Sequence, residues 1–224
     1  MFCWLTNTKA ENVYKRINKQ QKGRKRFMGE IGDLRVVKTK QLLKEALLAL
    51  LKDMKFGEIT IMKLTTHAQI NRSTFYAHFY DKYDLLEKMI NDELVSFVEE
   101  VAPKSEEELT LTGIPNPFYL RATQYIYKHG EFFKLMMGEN VIPSFQQRFL
   151  KIIEKHMIEH LNKLHPNPKK MEIPNELFIY YVAHGYVGVI SYWLESGMQF
   201  SPEYMAEKLS YMTIEGPFRV AGLK

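Results

Sequence analysis

The stretch ITIMKLTTHAQINRSTFYAHFYDKYDLL, residues 59–86, decides the fold. It holds two short segments with apolar residues at helical spacing, separated by about three residues, and then the start of a third segment. Thr60, Asn71 and Asp81 are residue types that cap helix N-termini, and each stands before one of these segments. The stretch therefore predicts a short helix, a tight turn, a second short helix and the beginning of a longer one.

The second short helix, predicted over residues 71–79, has two unlike faces. At about 100° per residue, Phe75 and Phe79 point the same way, toward the preceding helix. The opposite face carries small and hydroxyl side chains, flanked by two hydrogen-bonding aromatic rings: Ser73, Thr74, Ala77, Tyr76 and His78. Such a face suits a helix inserted in the major groove of DNA, and a solvated surface helix is the alternative interpretation.

Helices are also predicted on both sides of this stretch. Apolar residues recur at spacings of three and four from Val36 to Met54, and Gly57 ends the run. This first helix supplies the packing base that a helix-turn-helix requires. The helix capped by Asp81 is long and ends before Pro103.

The remaining chain also has helical patterns. A polar segment with three prolines, residues 103–117, predicts a loop or domain junction. Beyond it, helices are predicted at about 117–137, 143–164, 175–196 and 202–215, with breaks at Gly138, 165–168, Gly197 and Gly216. Since no segment longer than a few residues alternates with period two, the predicted fold class is all-α.

Charge is unevenly distributed along the chain. Residues 1–90 contain 18 Lys and Arg against 9 Asp and Glu, a net +9, whereas residues 91–224 contain 13 against 17, a net −4. The first part thus predicts a surface that faces a polyanion, although basic tails also simply aid solubility. Residues 1–34 include KQQKGRKRF and are interpreted as a basic, flexible arm.

The cysteine content and the first residues of the chain indicate the cellular compartment of the protein. Cys3 is the single cysteine, so an intramolecular disulfide is impossible, and the first residues lack the pattern of a secretory signal. We therefore expect a cytoplasmic protein. Residues 177–194 contain no Asp, Glu, Lys or Arg, which reaches the lower length limit for a membrane span. Because this segment includes four tyrosines, His184 and two glycines, a buried or subunit-contacting helix is the preferred interpretation.

The 59–86 stretch resembles the DNA-binding segment of the TetR family of bacterial one-component transcription regulators. The family signature T-F-Y-x-H-F-x-x-K-x-x-L is matched by Thr74, Phe75, Tyr76, His78, Phe79, Lys82 and Leu85. The resemblance implies a three-helix helix-turn-helix DNA-binding domain at residues 35–81, after the arm at 1–34. A long fourth helix would join it to an all-helical dimerisation and ligand-binding domain at 82–224.

The resemblance also implies roles for individual residues. Ser73, Thr74 and Ala77 would face bases, while Tyr76, His78 and Lys82 would hold phosphates. Thr60 and Lys63 would contact the DNA backbone, and Arg72 lies among these DNA-binding residues. Two positions depart from the family: Gln69 stands where glycine is usual in the turn and predicts a left-handed or altered conformation. Ala77 replaces a longer side chain, so shape or arm contacts would carry more of the specificity.

The C-terminal part gives weaker signals. Residues 185–209 resemble one regulator subgroup through a W-L-x-x-G element at Trp193, Leu194 and Gly197. Small residues nearby predict close approach of another helix, and the predicted dimer interface is Ala183, Gly185, Gly188, Tyr192, Tyr204 and Leu209. Aromatic residues could line an effector pocket or form ordinary core: Tyr125, His129, Phe132, Phe133, Phe149, Tyr186 and Trp193.

These observations predict a sequence-specific DNA-binding transcription regulator. It would bind double-stranded DNA at a palindromic operator as a homodimer, act as a repressor, and be released by a small molecule, with no cofactor, metal, membrane or enzymatic activity. One alternative keeps the fold but has the dimer act mainly through a protein partner. The other is a metal-dependent hydrolase, since HMIEH at residues 156–160 has the H-x-x-E-H spacing in His156, Glu159 and His160.

Overall fold

The computed structural model of the chain describes residues 30–105, 113–138, 144–164 and 173–223. These residues form helices joined by turns, with no strand among them, which confirms the all-α prediction. The helices are α1 (Glu30–Asp53), α2 (Ile61–His67), α3 (Arg72–Tyr76), α4 (Lys82–Val101), α5 (Pro117–Lys128), α6 (Gly130–Met137), α7 (Ser144–Leu164), α8 (Asn175–Glu195), α9 (Pro202–Glu215) and α10 (Pro217–Val220). The break predicted at residues 165–168 and the arm up to residue 29 lie outside the described residues.

The chain forms two compact units, residues 1–42 and 43–224. The described part of the first unit is the beginning of α1, which starts at Glu30, six residues before the predicted Val36. In the second unit, the rest of α1 buries Leu43, Leu47 and Leu51 completely. The predicted apolar stripe of the first helix is therefore confirmed in this part.

The helix α4 connects the N-terminal helices to the C-terminal ones. Its apolar stripe is buried along its whole length: Leu85, Leu86, Met89, Ile90, Leu94, Phe97 and Val101. Polar contacts link it in both directions. Lys44 of α1 pairs with Asp92 at 2.9 Å, and Arg148 of α7 pairs with Glu87 at 2.8 Å. A shift of α4 would therefore disturb contacts with both the N-terminal and the C-terminal helices.

The C-terminal helices pack around aromatic rings. Phe97 of α4 meets Phe149 of α7 edge to face, with ring centroids 5.2 Å apart, and both rings are fully buried. Phe133 and Phe145 complete this cluster. Edge-to-face contacts add a directional attraction to the burial of apolar surface, so the cluster fixes how α4, α6 and α7 meet.

The predicted helix at 117–137 is two helices, α5 and α6, which meet at His129. His129 leaves helical geometry with φ −107° and ψ 24°. Its Nδ1 lies 2.8 Å from Glu93 Oε1, and the Tyr125 hydroxyl donates to the same carboxylate oxygen at 2.9 Å. The Tyr125 and His129 rings stack 4.2 Å apart, so α4 and the α5–α6 junction are tied together at this point.

The W-L-x-x-G element forms the end of α8. Trp193 is fully buried and donates from Nε1 to the Phe200 carbonyl at 3.0 Å. Gly197 adopts φ 78°, and the Met198 amide donates back to the Trp193 carbonyl at 2.8 Å, which together close the helix. The Met198 side chain then lies against Gly130, where an added Cβ would be only 2.4 Å from Met198 Cε.

By length and composition alone, α8 could cross a membrane. One third of its apolar stretch is buried inside the subunit, and core helices of soluble proteins meet the same criteria. Ile179, Ala183, Tyr186 and Ile190 form the buried side of α8, packed within the subunit.

Candidate nucleic-acid interface

The turn between α2 and α3 is a helix-ending motif with a left-handed residue. Gln69 has φ 54°, as its place in a glycine position predicted. The Ile70 amide donates to the Thr65 carbonyl at 3.0 Å and the Gln69 amide to the Thr66 carbonyl at 3.2 Å. These two bonds are those of a Schellman motif, in which the residue after the helix cap turns left-handed. The altered turn expected from Gln69 is thus a common helix-ending motif, in which the glutamine adopts a left-handed conformation that is strained for a residue with a Cβ.

The helix α2 begins at the predicted cap. The Thr60 hydroxyl accepts from the Lys63 amide at 3.2 Å, which satisfies one of the free amides of the first turn. Leu64 and Ala68 are buried on its inner side. Lys63 itself is exposed, and its Nζ donates to the Glu58 carbonyl at 3.2 Å.

The inward orientation predicted for α3 is confirmed. Phe75 is 0% exposed and Phe79 is 3% exposed. The regular helix covers only Arg72–Tyr76, but helical hydrogen bonds continue beyond it, because the Phe79 amide donates to the Phe75 carbonyl at 2.9 Å. The two rings therefore anchor a short helix that could not be stable by itself.

The outer face of α3 is open to solvent. Arg72, Ser73 and Ala77 are exposed, and Tyr76 is 51% exposed with its ring edge-on to Phe75. Thr74 and His78 are half-buried at its margins. In the described part of the chain, the face predicted to meet DNA is therefore accessible, and its small side chains would let the helix approach base edges closely.

Lys82 differs from the sequence prediction. Its ammonium donates to three backbone carbonyls, those of Phe56 at 2.8 Å, Gly57 at 2.9 Å and Ile59 at 2.8 Å. Since an ammonium group has three N–H donors, none is left for a phosphate in this conformation. Spacing along the sequence could not show this, because the three acceptors belong to the turn before α2.

The start of α4 carries two carboxylates. Asp81 accepts from the Asp84 amide at 2.8 Å, and Asp84 in turn accepts from the Tyr80 amide at 2.9 Å. Burial alone would raise the pKa of Asp84, but its hydrogen bonds with Lys88 and the Tyr80 amide, together with the Lys88 charge, hold that pKa below its ordinary value. These carboxylates fix the turn after α3. They also weaken the phosphate anchor that the sequence predicted around Lys82.

Two of the residues predicted to form an aromatic pocket line a cavity in the described part of the chain. A small cavity of about 30 Å³ lies among α4, α5, α7, α8 and α9. It is lined by Phe97, Phe118, Tyr119, Ala122, Thr123, Ile126, Phe149, Ile153, Tyr186, Val187, Ile190 and Leu209. Only Phe149 and Tyr186 of the predicted set are among them. A cavity of this size holds water-sized molecules, whereas ligand pockets measure roughly 300–1,000 Å³.

The other predicted pocket residues make contacts elsewhere in the subunit. Phe132 and Phe133 join the aromatic cluster, Trp193 closes α8, and Tyr125 and His129 contact Glu93. Helical spacing alone could not separate a ring that fills the core from one that borders a cavity, because both are buried and apolar.

The cavity lies beside a cluster of hydroxyl groups that the sequence did not reveal. Tyr119 and Tyr186 share a hydrogen bond, Tyr186 also bonds Thr213, and the Thr213 hydroxyl donates to the Leu209 carbonyl at 2.7 Å. Burial, and then the electrostatic effect of Tyr119, raise the pKa of Tyr186, and burial also raises the pKa of Tyr119. Both phenols are therefore neutral. These residues lie on α5, α8 and α9, far apart in sequence.

The predicted dimer interface divides into two groups. Gly185, Gly188, Tyr192 and Tyr204 are exposed, and an added Cβ on either glycine would meet no atom within 4 Å. Ala183 and Leu209, by contrast, are 0% and 3% exposed and pack inside the subunit. The prediction for these two side chains is therefore wrong, since a partner could not reach them. The error arose because small or apolar residues occur on both faces of these helices.

The metal-site alternative gains no support from the described residues. They contain no group of three or more His, Cys, Asp or Glu that could hold a metal ion. The His156 ring stacks on Phe118 with centroids 3.7 Å apart, and Glu159 lies 3.8 Å from Lys155. The His160 side chain is outside the described part.

Comparison with known proteins agrees with this geometry. A family model described as "Transcriptional regulator C-terminal region" matches residues 115–215. The chain is 25% identical over 192 residues to the uncharacterized HTH-type transcriptional regulator YxbF of Bacillus subtilis (strain 168), covering 82% of this chain and 47% of that protein. It thus spans about half the length of this relative.

Two solved structures share the fold. A TetR transcriptional regulator from Streptococcus agalactiae 2603V superposes with a TM-score of 0.59 at 19% identity, covering 81% of this chain and 97% of that one. The regulator FadR from Bacillus subtilis in complex with stearoyl-CoA superposes with a TM-score of 0.54 at 12% identity, covering 79% and 98%. In this chain, α2, the left-handed turn and α3 form a helix-turn-helix, within the all-helical fold that these solved regulators share. Residues 115–215 are thus similar to the C-terminal region of transcriptional regulators, and the fold is that of the solved TetR regulator.

Proposed function

We propose that this protein is a cytoplasmic transcription regulator that binds a palindromic DNA operator as a homodimer. The observation that carries the proposal is the outer face of α3, which is exposed while Phe75 and Phe79 hold the helix from behind. Arg72, Lys63 and the exposed Tyr76 hydroxyl border this face and are suited to phosphate oxygens. The net positive charge of residues 1–90 supports the same partner.

The exposed side of α8 supports dimerisation. Tyr180, Tyr181 and Tyr192 are each at least 60% exposed, and Gly185 and Gly188 lie between them on the same side. Tyrosines are enriched in protein interfaces, and glycines allow two helices to approach closely. A second copy of α8 fits this surface, and with it two copies of α3 could enter successive major grooves about one helical turn apart.

These roles assign a function to each part of the chain. Residues 35–81 would bind DNA, with 1–34 as a basic arm and 82–224 as the dimerisation and ligand-binding part. Repression by occupying the operator is the mode that we propose. A small molecule would release the DNA by favouring a second arrangement of the C-terminal helices. Since Phe97 of α4 lines the small cavity, a molecule that widened the cavity on this side would displace α4.

Selection of bound fragments from random DNA tests the proposal. The purified chain should enrich a two-fold symmetric consensus with half-sites about 10 base pairs apart. A variant with Arg72→Ala and Tyr76→Ala on the outer face should enrich nothing, while Tyr127→Ala, an exposed tyrosine on α5, should select the same consensus as the unaltered chain. Failure of the unaltered chain to enrich any sequence would contradict DNA recognition and favour a protein partner instead.

A further inference from the structure

We propose that Tyr80 is a further DNA-contacting residue, whose hydroxyl donates to a phosphate oxygen of the operator backbone. This inference rests on the proposed function, because it adds a contact beside the outer face of α3. The signature T-F-Y-x-H-F-x-x-K-x-x-L leaves position 80 open, so the resemblance assigns no role to this tyrosine. The exposure of the side chain and the bonds that hold its backbone point to the role.

The Tyr80 side chain contributes little to the packing of the subunit. It is 85% exposed, the highest value among the large apolar and aromatic side chains in the part of the chain that the structure describes. Among the same residues, its hydroxyl has no hydrogen-bond partner and its ring meets no other ring. Tyr83 is different, since its ring packs edge to face against the buried Phe56 at 5.2 Å. The Tyr80 phenol is therefore available to an external partner.

The backbone of Tyr80, by contrast, is held in place. Its amide donates to Asp84 Oδ2 at 2.9 Å, and the Asp84 amide donates to Asp81 Oδ1 at 2.8 Å. Lys88 donates to the same Asp84 oxygen at 2.7 Å and to the His78 carbonyl at 3.4 Å. These bonds tie the turn after α3 to the start of α4 on both sides of Tyr80. Ordering the side chain on a partner would therefore restrict only its few side-chain torsion angles.

The turn after α3 lies at the edge of the proposed interface. Phe79, the residue before Tyr80, is 3% exposed and ends the helical hydrogen bonds of α3 by donating to the Phe75 carbonyl. In helix-turn-helix proteins, the N-terminal residues of the second helix meet base edges. The opposite end of α3, which Tyr80 follows directly, would then lie nearer the rim of the major groove, where the phosphates are.

The chemistry of this turn favours a neutral hydrogen-bond donor. Residues 79–88 contain two lysines and three carboxylates, so the segment has no excess of positive charge. A tyrosine hydroxyl can donate to a phosphate oxygen without adding charge, and such contacts fix the position of a protein on the duplex. Tyr80 would therefore strengthen binding to every DNA sequence and leave the number of released counterions unchanged.

Tyr76 sets the scale of the expected effect. Its ring is 51% exposed and lies edge-on against Phe75, so it is ordered before DNA binds. Tyr80 has no such support and must be ordered on binding, which offsets part of the gain from its hydrogen bond. We expect the loss of Tyr80 to weaken binding by about fivefold, the order expected for one hydrogen bond, and by less than the loss of Tyr76.

DNA titrations of the full chain at several salt concentrations test the inference, after circular dichroism has shown that each variant keeps its melting temperature. Tyr80→Ala should weaken binding by about fivefold to the selected operator and to unrelated DNA alike, with an unchanged slope of log K against log salt. Tyr80→Phe, which removes only the hydroxyl, should weaken binding by a similar factor.

A charge introduced at the same position tests whether it lies beside the DNA. Tyr80→Lys should make the salt slope steeper by about 0.9, because a lysine there would neutralise one phosphate. Tyr127→Lys is the control, since it adds the same charge at an exposed tyrosine on α5. The slope of this control should equal that of the unaltered chain.

Three results would overturn the inference. The first is full affinity of the folded Tyr80→Ala or Tyr80→Phe protein, which shows that the hydroxyl makes no contact. The second is an equal salt slope for Tyr80→Lys and Tyr127→Lys, which places position 80 away from the phosphates. The third is a loss of affinity in Tyr80→Ala for the operator alone, which indicates a base contact instead.

The failure of the proposed function looks different. If Tyr76→Ala weakens DNA binding and the Tyr80 variants do not, the proposed function stands and the role of Tyr80 is refuted. If the unaltered chain shows no salt-dependent DNA binding, the proposed function is refuted and the role of Tyr80 with it.

Discussion

The amide of Ile70 donates to the carbonyl of Thr65 at 3.0 Å, across the turn that joins α2 to α3. This bond forms only if the residue between the helices turns left-handed, and that residue is Gln69 with φ 54°. The angle between α2 and α3 therefore depends on a conformation that glycine adopts without cost and that glutamine adopts with strain.

Gln69→Gly should stabilise the protein. Relief of the left-handed strain should raise the free energy of unfolding by about 1 kcal/mol, or the melting temperature by roughly 2–4 °C. Gln69→Ala is the control, because alanine keeps a Cβ and the strain. Thermal unfolding followed by circular dichroism measures both, and a Gln69→Gly protein no more stable than Gln69→Ala would contradict the prediction.

Adjacent residues Phe75 and Tyr76 should give opposite phenotypes, because one is fully buried and the other 51% exposed. Phe75→Ala should lower the free energy of unfolding by about 3–5 kcal/mol through the cavity it leaves. Tyr76→Ala should change stability by less than about 0.5 kcal/mol but weaken binding to all DNA sequences, with little change in salt dependence. Denaturant unfolding and DNA titration separate the two, and unchanged DNA affinity of Tyr76→Ala would count against the outer face of α3.

Gly188→Trp should produce monomers with poor operator affinity. Gly188 is exposed and an added Cβ there meets no atom within 4 Å, so a larger side chain should extend from α8 into solvent and the fold should be retained. A ring on this side of α8 would hold a second copy away. Sedimentation velocity measures the mass, with Lys128→Trp on exposed α5 as control. An intact dimer for Gly188→Trp would show that the interface lies elsewhere.

Asp84 should contribute stability that depends on pH. Its pKa is held below the ordinary 3.8, so the stabilisation is fully present above that pH and disappears as the pH falls through the lowered value. Asp84→Asn should therefore be less stable than the unaltered chain at neutral pH, and the difference should shrink in acid. Asp92→Asn, which removes a more exposed carboxylate, is the control. Urea unfolding at several pH values measures the free energy of unfolding of each protein. A stability difference between Asp84→Asn and the unaltered chain that does not depend on pH would exclude this role.

The helix-turn-helix segment was predictable because local signals agreed there. Caps at Thr60 and Asp81, the spacing of Phe75 and Phe79, and the unusual Gln69 each act over a few residues, and the structure bears out all of them. Lys82 was the exception, since its partners are 23 to 26 residues earlier in the chain.

In the C-terminal part, only the positions of the helices could be predicted from the sequence. Pocket and interface depend on which face of each helix meets which neighbour, and this is decided by contacts between α5, α8 and α9. Ala183 and Gly185 show the difficulty. Both are small and two residues apart, yet one is sealed in the core and the other is open to solvent. The helix break at His129 could not be predicted from the sequence either, because the helical spacing of apolar residues continues across it.

The close approach of Met198 to Gly130 determines what a larger residue at position 130 would displace. A methyl group at position 130 would collide with the end of the Met198 side chain, whereas a shorter residue at position 198 would leave room for it. Because the colliding atoms are at the flexible end of Met198, the methionine can also make room by adopting another rotamer. A side chain at position 130 would thus be accommodated by movement of one residue, with the backbone of α6 unchanged.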